Sequence, residues 1–284
     1  MGLLDRIAEC SLFNPDRYVH FFVANQHVGY TEKKFASRLI DSSFSPTFLS
    51  ENGKLHVNPR LKTPDERTKA VEKVLLKLRE MGFVPGWRNE QYPVVRRFGG
   101  KPLLSVERAA VSLLGVRGSG VHLNGYVKRK KQTLMWVGKR SHLKPTGPGK
   151  FDQIVAGGMP IGISVKDNLI KECWEEASIP REIAKNAQSV GVVTYLTERP
   201  DGLRHDMEYV FDLKLPDNFV PMNVDGEVSD FFLWPLSKVK KSLAEGSDFK
   251  FNSGLVAIDF LVRHGYIKPE DPEFVGAALG TNAF

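Results

Sequence analysis

The stretch "AGGMPIGISVKDNLIKECWEEASI", residues 156–179, joins a glycine-rich loop to a predicted helix with three glutamates. Glu172, Glu175 and Glu176 are spaced i, i+3 and i+4, so a helix projects all three from one face. Such a face is either ordinary solvated surface or a carboxylate cluster for a hard divalent cation, since Mg²⁺ prefers oxygen ligands. The neighbouring glycines favour the cation site, because they let a charged ligand approach the backbone closely.

The same stretch contains the signals that position this helix. Ser164 or Asp167 can cap its N-terminus. Leu169, Ile170 and Cys173 lie on the face opposite the glutamates, and we expect this face to pack against a sheet.

The chain has 284 residues, which is longer than most single domains. A transition rich in Pro and Gly spans residues 86–110. We therefore predict two domains, an N-terminal α+β extension over residues 1–105 and a second domain over residues 106–284. The extension contains no motif that looks catalytic, and we interpret Arg88 and Glu90 in the connector as a structural ion pair.

Composition limits the partners and the compartment. A net charge of +7 would help to attract phosphorylated ligands, but the sequence has no basic tail and no zinc-finger spacing, so we predict no nucleic-acid partner. Residues 1–13 have acidic side chains and no continuous apolar run, so we predict neither a signal peptide nor a membrane partner. Cys10 and Cys173 are far apart, which fits a reducing compartment, and we predict a cytoplasmic protein. The sequence leaves open whether it forms a homodimer.

In the extension, the patterns predict two hairpins and two helices. Residues 18–31 read as a hairpin, and Asn52-Gly53 is a type I′ turn signal between two further strands. A helix follows each hairpin, the first with Phe35, Leu39 and Ile40 on its buried side. Thr63, Pro64 and Glu66 form a start signal for the second helix. Its predicted apolar stripe is Val71, Val74, Leu75, Leu78 and Met81.

In the second half, strands and helices alternate. "AAVSLLGV" and "VHLNGYV" read as strands with "RGSG" as a turn between them, and "QTLMWVGKRS" reads as a third strand. A hairpin over residues 189–214, another strand and two C-terminal helices follow the central helix. This order predicts a mixed sheet with helices on both faces.

Residues 157–179 resemble the Nudix box, G-x5-E-x7-R-E-U-x-E-E-x-G-U, where U is a bulky apolar residue. Gly157 takes the first glycine, Glu172 the glutamate of R-E, and Glu175 and Glu176 the E-E pair. The resemblance implies a Nudix-type α/β/α sandwich and a pyrophosphohydrolase that needs Mg²⁺ or Mn²⁺. It implies that Glu172, Glu175 and Glu176 bind the metal, with Glu175 as a ligand or as the base that deprotonates the attacking water.

Three positions depart from the box. Ile163 replaces the first glutamate, Lys171 replaces the arginine and Ser178 replaces the last glycine. Because the family's arginine can pair with that first glutamate, their joint replacement is physically coherent. The departures leave the number of metals, the identity of the general base and a non-catalytic role open.

The residues around the box suggest further roles. Glu227 lies just before a strand, where many Nudix enzymes supply another acidic ligand or base, although a surface turn fits equally well. Arg140 and Lys144 can neutralise substrate phosphates, or they belong to a solvated basic loop. Gly157 and Gly158 are the predicted backbone contacts to the substrate. The predicted catalytic residues are therefore Glu175, Glu176 and Glu227.

The extension and the box without its first glutamate together resemble the branch of thiamine pyrophosphokinase-related Nudix proteins. This resemblance covers nearly the whole chain and implies a small-molecule diphosphate substrate, namely thiamine diphosphate or damaged analogues, cleaved to the monophosphate and phosphate. Two alternatives stay open, a Nudix hydrolase of another nucleoside-diphosphate-linked substrate and a non-catalytic sensor of a diphosphate metabolite.

Overall fold

The computed structural model describes residues 2–41, 47–130 and 132–268. In the first half, the helices and strands are α1 (Leu3–Ala8), β1 (Tyr18–Val23), β2 (Gln26–Glu32), α2 (Lys33–Leu39), β3 (Phe48–Glu51), β4 (Lys54–Val57), α3 (Pro64–Glu80), β5 (Gln91–Val94), β6 (Leu104–Glu107) and α4 (Val111–Leu114). In the second half they are β7 (Arg117–Arg129), β8 (Gln132–Arg140), β9 (Phe151–Gln153), β10 (Val155–Gly158), α5 (Val165–Ala177), α6 (Arg181–Ala184), β11 (Gln188–Arg199), β12 (Gly202–Lys214), β13 (Val228–Pro235), α7 (Leu236–Glu245) and α8 (Phe251–Arg263). None of the described helices is long and apolar enough to cross a membrane.

The extension contains a four-stranded sheet in the order β2-β1-β4-β3 and a separate two-stranded sheet of β5 and β6. The predicted hairpins are confirmed, and Asn52 and Gly53 both have positive φ, at 50° and 70°. The capping box of α3 is also confirmed, because Thr63 Oγ1 accepts a bond from the Glu66 amide at 3.2 Å. Two predicted core positions are wrong. Ile40 and Met81 follow the last helical residue of α2 and α3, and both side chains are exposed.

The second half forms a seven-stranded mixed sheet in which β11, β12, β7, β8 and β13 lie side by side. β12 runs parallel to β7, whereas the other pairs are antiparallel. Successive side chains of β8 alternate between the two faces, as strand geometry requires. Trp136 joins the apolar cluster that includes α5, while Met135 and Val137 join the cluster of α7 and α8. The predicted α/β/α sandwich with a mixed sheet is therefore confirmed.

The prediction for residues 109–120 is wrong. "AAVSLLGV" contains a 3-10 turn and α4, which ends at Gly115 with φ +60°. A short apolar run fits a buried helical turn as well as a strand, so its pattern could not separate the two. "RGSG" lies inside β7 rather than in a turn. Gly118 and Gly120 are there because a side chain at either position would overlap the carboxylate of Asp206 or Glu208.

The two halves of the chain pack against each other. Helix α1 packs on α7 and α8, and the Glu198 amide donates to the carbonyl of Leu12 at 2.7 Å. The apolar cluster of the extension continues from Phe21 as far as Val116. The domain boundary near residue 105 stays a prediction.

We expect Leu169→Ala to destabilise the protein by about 2–5 kcal/mol, because Leu169 is 2% exposed in the cluster that attaches α5 to the sheet. Urea unfolding measures the change. Leu143→Ala removes the same atoms from a side chain that is 92% exposed, and it should change stability by less than about 0.5 kcal/mol. Equal effects of the two substitutions would contradict the packing described for α5.

His205 on β12 lies against the rings of Tyr30 and Phe98 of the extension. Burial and the charges of Arg117 and His27 lower the pKa of His205 from 6.5 to about 3. Because the folded pKa lies below the unfolded one, stability is full above pH 6.5 and falls as the pH drops towards 3. The slope from this group is about 1.4 kcal/mol per pH unit.

Urea unfolding of the wild type and of His205→Gln near pH 7 and pH 5 measures this contribution. The variant should lose less stability than the wild type between the two pH values. His142→Gln, at an exposed histidine, should behave like the wild type. A wild-type pH dependence in His205→Gln would show that His205 is protonated in the folded protein.

Candidate active site

Helix α5 begins and ends at two hydrogen-bonded serines. Of the two predicted caps, Ser164 is the one present, and its Oγ accepts a bond from the Asp167 amide at 3.1 Å. The helix ends at Ser178, whose φ of +53° lies in the left-handed region that favours glycine. Ser178 Oγ donates to the carbonyl of Met222 at 2.8 Å. At this position, where the box has glycine, the serine side chain thus links the end of α5 to the backbone at Met222.

The apolar face of α5 is buried as predicted. Leu169, Ile170 and Cys173 belong to the cluster between the helix and the sheet. Ile163, which replaces the box's first glutamate, packs half-buried against the same cluster. An apolar residue therefore suits this position, and the opposite helix face is turned towards the glycine-rich loop.

Glu172 and Glu176 lie side by side against that loop. Glu176 is 4% exposed, and its Oε2 accepts a bond from the Ala156 amide at 2.7 Å. Glu172 packs directly on Gly157, where any side chain would overlap its carboxylate. Burial, together with the negative charge of Glu172, raises the pKa of Glu176 well above its ordinary value. Burial likewise raises the pKa of Glu172, although the charge of Lys171 opposes this shift.

Glu175 is placed differently from the other two glutamates. Its side chain is 38% exposed, and its Oε2 accepts a bond from Lys171 Nζ at 2.6 Å. The same ammonium lies 3.2 Å from Glu172 Oε1. Lys171 thus bridges two of the three carboxylates. Within residues 2–41, 47–130 and 132–268, no three His, Cys, Asp or Glu side chains are grouped closely enough to hold a metal ion.

The pair formed by Glu172 and Glu176 nevertheless fits a divalent cation. Both pKa values are raised, that of Glu176 by burial and the charge of Glu172, and that of Glu172 by burial and the charges of Glu175 and Glu227, so positive charge nearby would stabilise the ionised pair. Oxygen donors are also the ligands that Mg²⁺ and Mn²⁺ prefer. All three metal ligands therefore stay a prediction, in which Glu172 and Glu176 lie against the loop and Glu175 is bound to Lys171.

A cavity of about 580 Å³ opens beside the glycine-rich loop. Gly157 and Gly158 line it, as do strands β7 and β12 and parts of the extension. Six cationic side chains and three carboxylates contribute to its wall, namely Arg88, Arg108, Arg140, Lys144, Arg204, Lys250, Asp201, Asp206 and Glu208. The predicted phosphate-binding residues Arg140 and Lys144 therefore share one cavity with the predicted backbone contacts.

Arg140 and Lys144 each have a carboxylate partner. Arg140 Nη1 donates to the buried Asp152 at 2.8 Å, and Lys144 forms an ion pair with Glu227. Burial alone would raise the pKa of Glu227, but the bond from Lys144 and the nearby arginines hold it below its ordinary value. Glu227, in the bend before β13, is thus paired with a residue of the cavity wall, and its role as a ligand or base stays a prediction.

Two carboxylates on β12 form part of the cavity wall over glycines of β7. Asp206 lies over Gly118, and Glu208 lies over Gly120, next to the Gly157 carbonyl. The hydroxyl of Tyr195 is 3.0 Å from an oxygen of each carboxylate. Burial and the charge of Glu208 raise the pKa of Asp206 to about 6, although the charge of Arg204 opposes the shift.

Sequence reasoning missed the part of this cavity that the extension supplies. Glu90 does form an ion pair, but its partner is Arg108 at 3.0 Å, and Arg88 lines the cavity instead. Tyr92, also in the extension, lies against Gly158. These residues precede the box by between 49 and 69 positions in the sequence. The two glycines of "RGSG" are the one sequence signal for this region, since they indicate that other groups approach the backbone of β7 closely.

Comparison with protein families divides the chain into two matched segments. Residues 2–118 match a domain of unknown function, DUF4743, and residues 120–253 match the NUDIX domain. The first match covers the extension, for which the sequence offered no chemistry.

Three relatives extend the match over most of the chain. Nudix hydrolase 24, chloroplastic, of Arabidopsis thaliana is 43% identical over 276 residues, which cover 96% of this chain and 76% of the relative. Nudix hydrolase 20, chloroplastic, of the same plant is 43% identical over 284 residues, with the same coverage of 96% and 76%. An uncharacterized protein of Saccharomyces cerevisiae is 34% identical over 246 residues, 80% of this chain and 71% of the relative. With such identity over nearly its whole length, and a Nudix domain around the paired glutamates, the chain belongs to the Nudix hydrolase family and is an enzyme of the pyrophosphohydrolase kind.

Proposed function

We propose that the protein hydrolyses thiamine diphosphate or damaged analogues of it to the monophosphate and inorganic phosphate, with Mg²⁺ or Mn²⁺. The observation that carries this proposal is the charge distribution of the cavity. Arg140, Lys144 and the loop glycines beside Glu172 line its wall, and so do the buried carboxylates of β12, with Arg204 close to Asp206. A ligand with a diphosphate at one end and a cationic ring at the other matches both parts.

The diphosphate fits the glycine-rich end. Gly157 and Gly158 have no side chains, so phosphate oxygens can come close to the backbone. Arg140 and Lys144 lie on the same cavity wall and supply positive charge. Their partners Asp152 and Glu227 fix both side chains in place before a ligand binds, which reduces the ordering cost of binding.

The organic group fits the part of the cavity beside Asp206. Strand β10 covers β7 as far as Gly120, which pairs with Gly158. Gly118, which pairs with Asp206, lies beyond the end of β10. Asp206 is 9% exposed and Arg204 compensates part of its charge, and a positive ring placed beside the carboxylate would compensate the rest. The thiazolium ring of thiamine carries such a charge, and its aminopyrimidine ring supplies hydrogen-bond donors.

Glu172 and Glu176 would hold the divalent cation, with a carbonyl of the glycine-rich loop as a further oxygen donor. A cation bound there would lower the pKa of water and offset charge on the diphosphate. Through that cation, the two carboxylates would position the reacting phosphate close to the loop. Glu175, half-exposed and next to the pair, is the proposed base that takes the proton of the attacking water. The oxygen of that water forms the new bond to phosphorus as the anhydride bond breaks.

We expect Glu176→Gln to lower turnover of thiamine diphosphate by at least about a hundredfold, since it removes the most buried charge of the pair. The amide oxygen can still accept the bond from the Ala156 amide, so the fold should persist. Phosphate release in the presence of Mg²⁺, Mn²⁺ or EDTA measures activity, and urea unfolding measures stability.

Glu182→Gln is the matched control, because its side chain is 77% exposed on α6. It should leave turnover unchanged within about twofold. Wild-type activity in EDTA, or in Glu176→Gln, would refute the proposed metal site. Metal-dependent turnover of a nucleotide-linked diphosphate but not of thiamine diphosphate would retain the site and refute the substrate.

Asp206→Asn tests the organic end of the cavity. We expect the KM for thiamine diphosphate to rise about tenfold, which corresponds to a loss of about 1.4 kcal/mol for one charge interaction. The KM for oxothiamine diphosphate, whose five-membered ring is uncharged, should change by less than about twofold. Asp217→Asn, at an exposed aspartate, is the control and should change neither value. Equal rises for both substrates would mean that Asp206 does not recognise the ring charge.

A further inference from the structure

The extension is hydrogen-bonded to the glycine-rich loop of the active site. The amide of Ile161, just after the loop, donates to the carbonyl of Gln91 on β5 at 2.8 Å. On its other side the loop is tied to the sheet, because the Met159 amide donates to the carbonyl of Ser119 at 2.9 Å. Strand β5 therefore has a fixed position beside the residues that we propose bind the diphosphate.

Tyr92 on β5 presents a polar group to this site. Its side chain is 6% exposed and lines the cavity, and its hydroxyl lies so close to Gly158 that no side chain could be added there. Burial raises the pKa of Tyr92 to about 12, and the charges of Glu172 and Glu208 contribute to the shift. The hydroxyl therefore keeps its proton and is a donor at neutral pH.

Arg108 places a positive charge beside this donor. Its guanidinium carbon lies 5.9 Å from the centre of the Tyr92 ring, and its Nη1 is 3.0 Å from Glu90 Oε2. That ion pair engages one of the five N–H groups of the guanidinium, and the side chain lines the cavity. A phenol donor and an arginine on one wall, facing glycines on the other, suit an oxyanion better than an apolar group.

We propose that the segment matching DUF4743, residues 2–118, completes the substrate site, with the Tyr92 hydroxyl donating a hydrogen bond to a phosphate oxygen of the bound diphosphate and Arg108 compensating its charge. This inference rests on the proposed function in one respect, that a diphosphate occupies the cavity. It assigns to the domain of unknown function a direct part in substrate binding. A phenylalanine at position 92 would fill the same space, so the hydroxyl is the atom to test.

The experiment is calorimetric titration of the full chain with methylenediphosphonate, a diphosphate analogue whose P–C–P bridge is not hydrolysed, in the presence of Mg²⁺. Tyr92→Phe should weaken binding about fivefold to tenfold, and Arg108→Gln about tenfold or more. Arg108→Lys, which keeps the charge, should recover part of the loss. Tyr126→Phe is the matched control, because Tyr126 is half-buried on β7 outside the cavity, and it should bind like the wild type.

The outcomes separate this inference from the substrate assignment. Wild-type affinity for methylenediphosphonate in both Tyr92→Phe and Arg108→Gln would overturn the inference, even if thiamine diphosphate is hydrolysed. Failure of the wild type to bind methylenediphosphonate would overturn it as well. Weakened binding in both variants, with no turnover of thiamine diphosphate by the wild type, would support the inference and refute the substrate. Unfolding midpoints of the variants must match the wild type. If Arg108→Gln fails to fold, Tyr92→Phe alone decides.

Discussion

The structure of the site depends on the burial of two like charges, Glu172 and Glu176, against the same short loop. The charge of Glu172 raises the pKa of Glu176, burial raises the pKa of both carboxyl groups, and both side chains are largely removed from water. Such a pair is unfavourable unless positive charge or hydrogen-bond donors compensate it. The Ala156 amide and the Lys171 ammonium supply part of this compensation. A divalent cation would supply the rest, which explains why the repulsion is tolerated on a helix that apolar packing holds firmly to the sheet.

Close approach is the second constraint, and glycine meets it on both sides of the cavity. Gly157 and Gly158 leave room for Glu172 and for the Tyr92 hydroxyl, while Gly118 and Gly120 leave room for the carboxylates of β12. At each of these positions a single methyl group would overlap a functional group rather than a flexible apolar chain. The glycines therefore determine how near the charged groups can stand to the backbone, and hence the shape of the site.

Local signals predicted much of the fold and the centre of the site. Capping residues, turn residues and apolar periodicity located α3, α5, the hairpins and β8, because each depends on neighbours within a few residues. The helix spacing also predicted that Glu172 and Glu176 share a face. The same reasoning failed at residues 109–120 for two reasons. An eight-residue apolar run fits either a strand or a helical turn, and the glycines make room for carboxylates that lie nearly 90 residues later in the sequence. It also missed Tyr92 and Arg108, since their part in the cavity depends on how two distant segments pack.

The departures from the Nudix box are consistent with one another once the packing is known. Ile163 adds apolar surface to the cluster under α5, so the site no longer has a glutamate there to pair with an arginine. Lys171 instead reaches Glu172 and Glu175 on its own helix, where a flexible ammonium can bridge two carboxylates. Ser178 replaces glycine at the helix end and gains a bond to the Met222 carbonyl. Ile163 and Ser178 therefore concern how α5 is held, whereas Lys171 places a positive charge beside two of the glutamates, and the paired glutamates and the glycine-rich loop are retained.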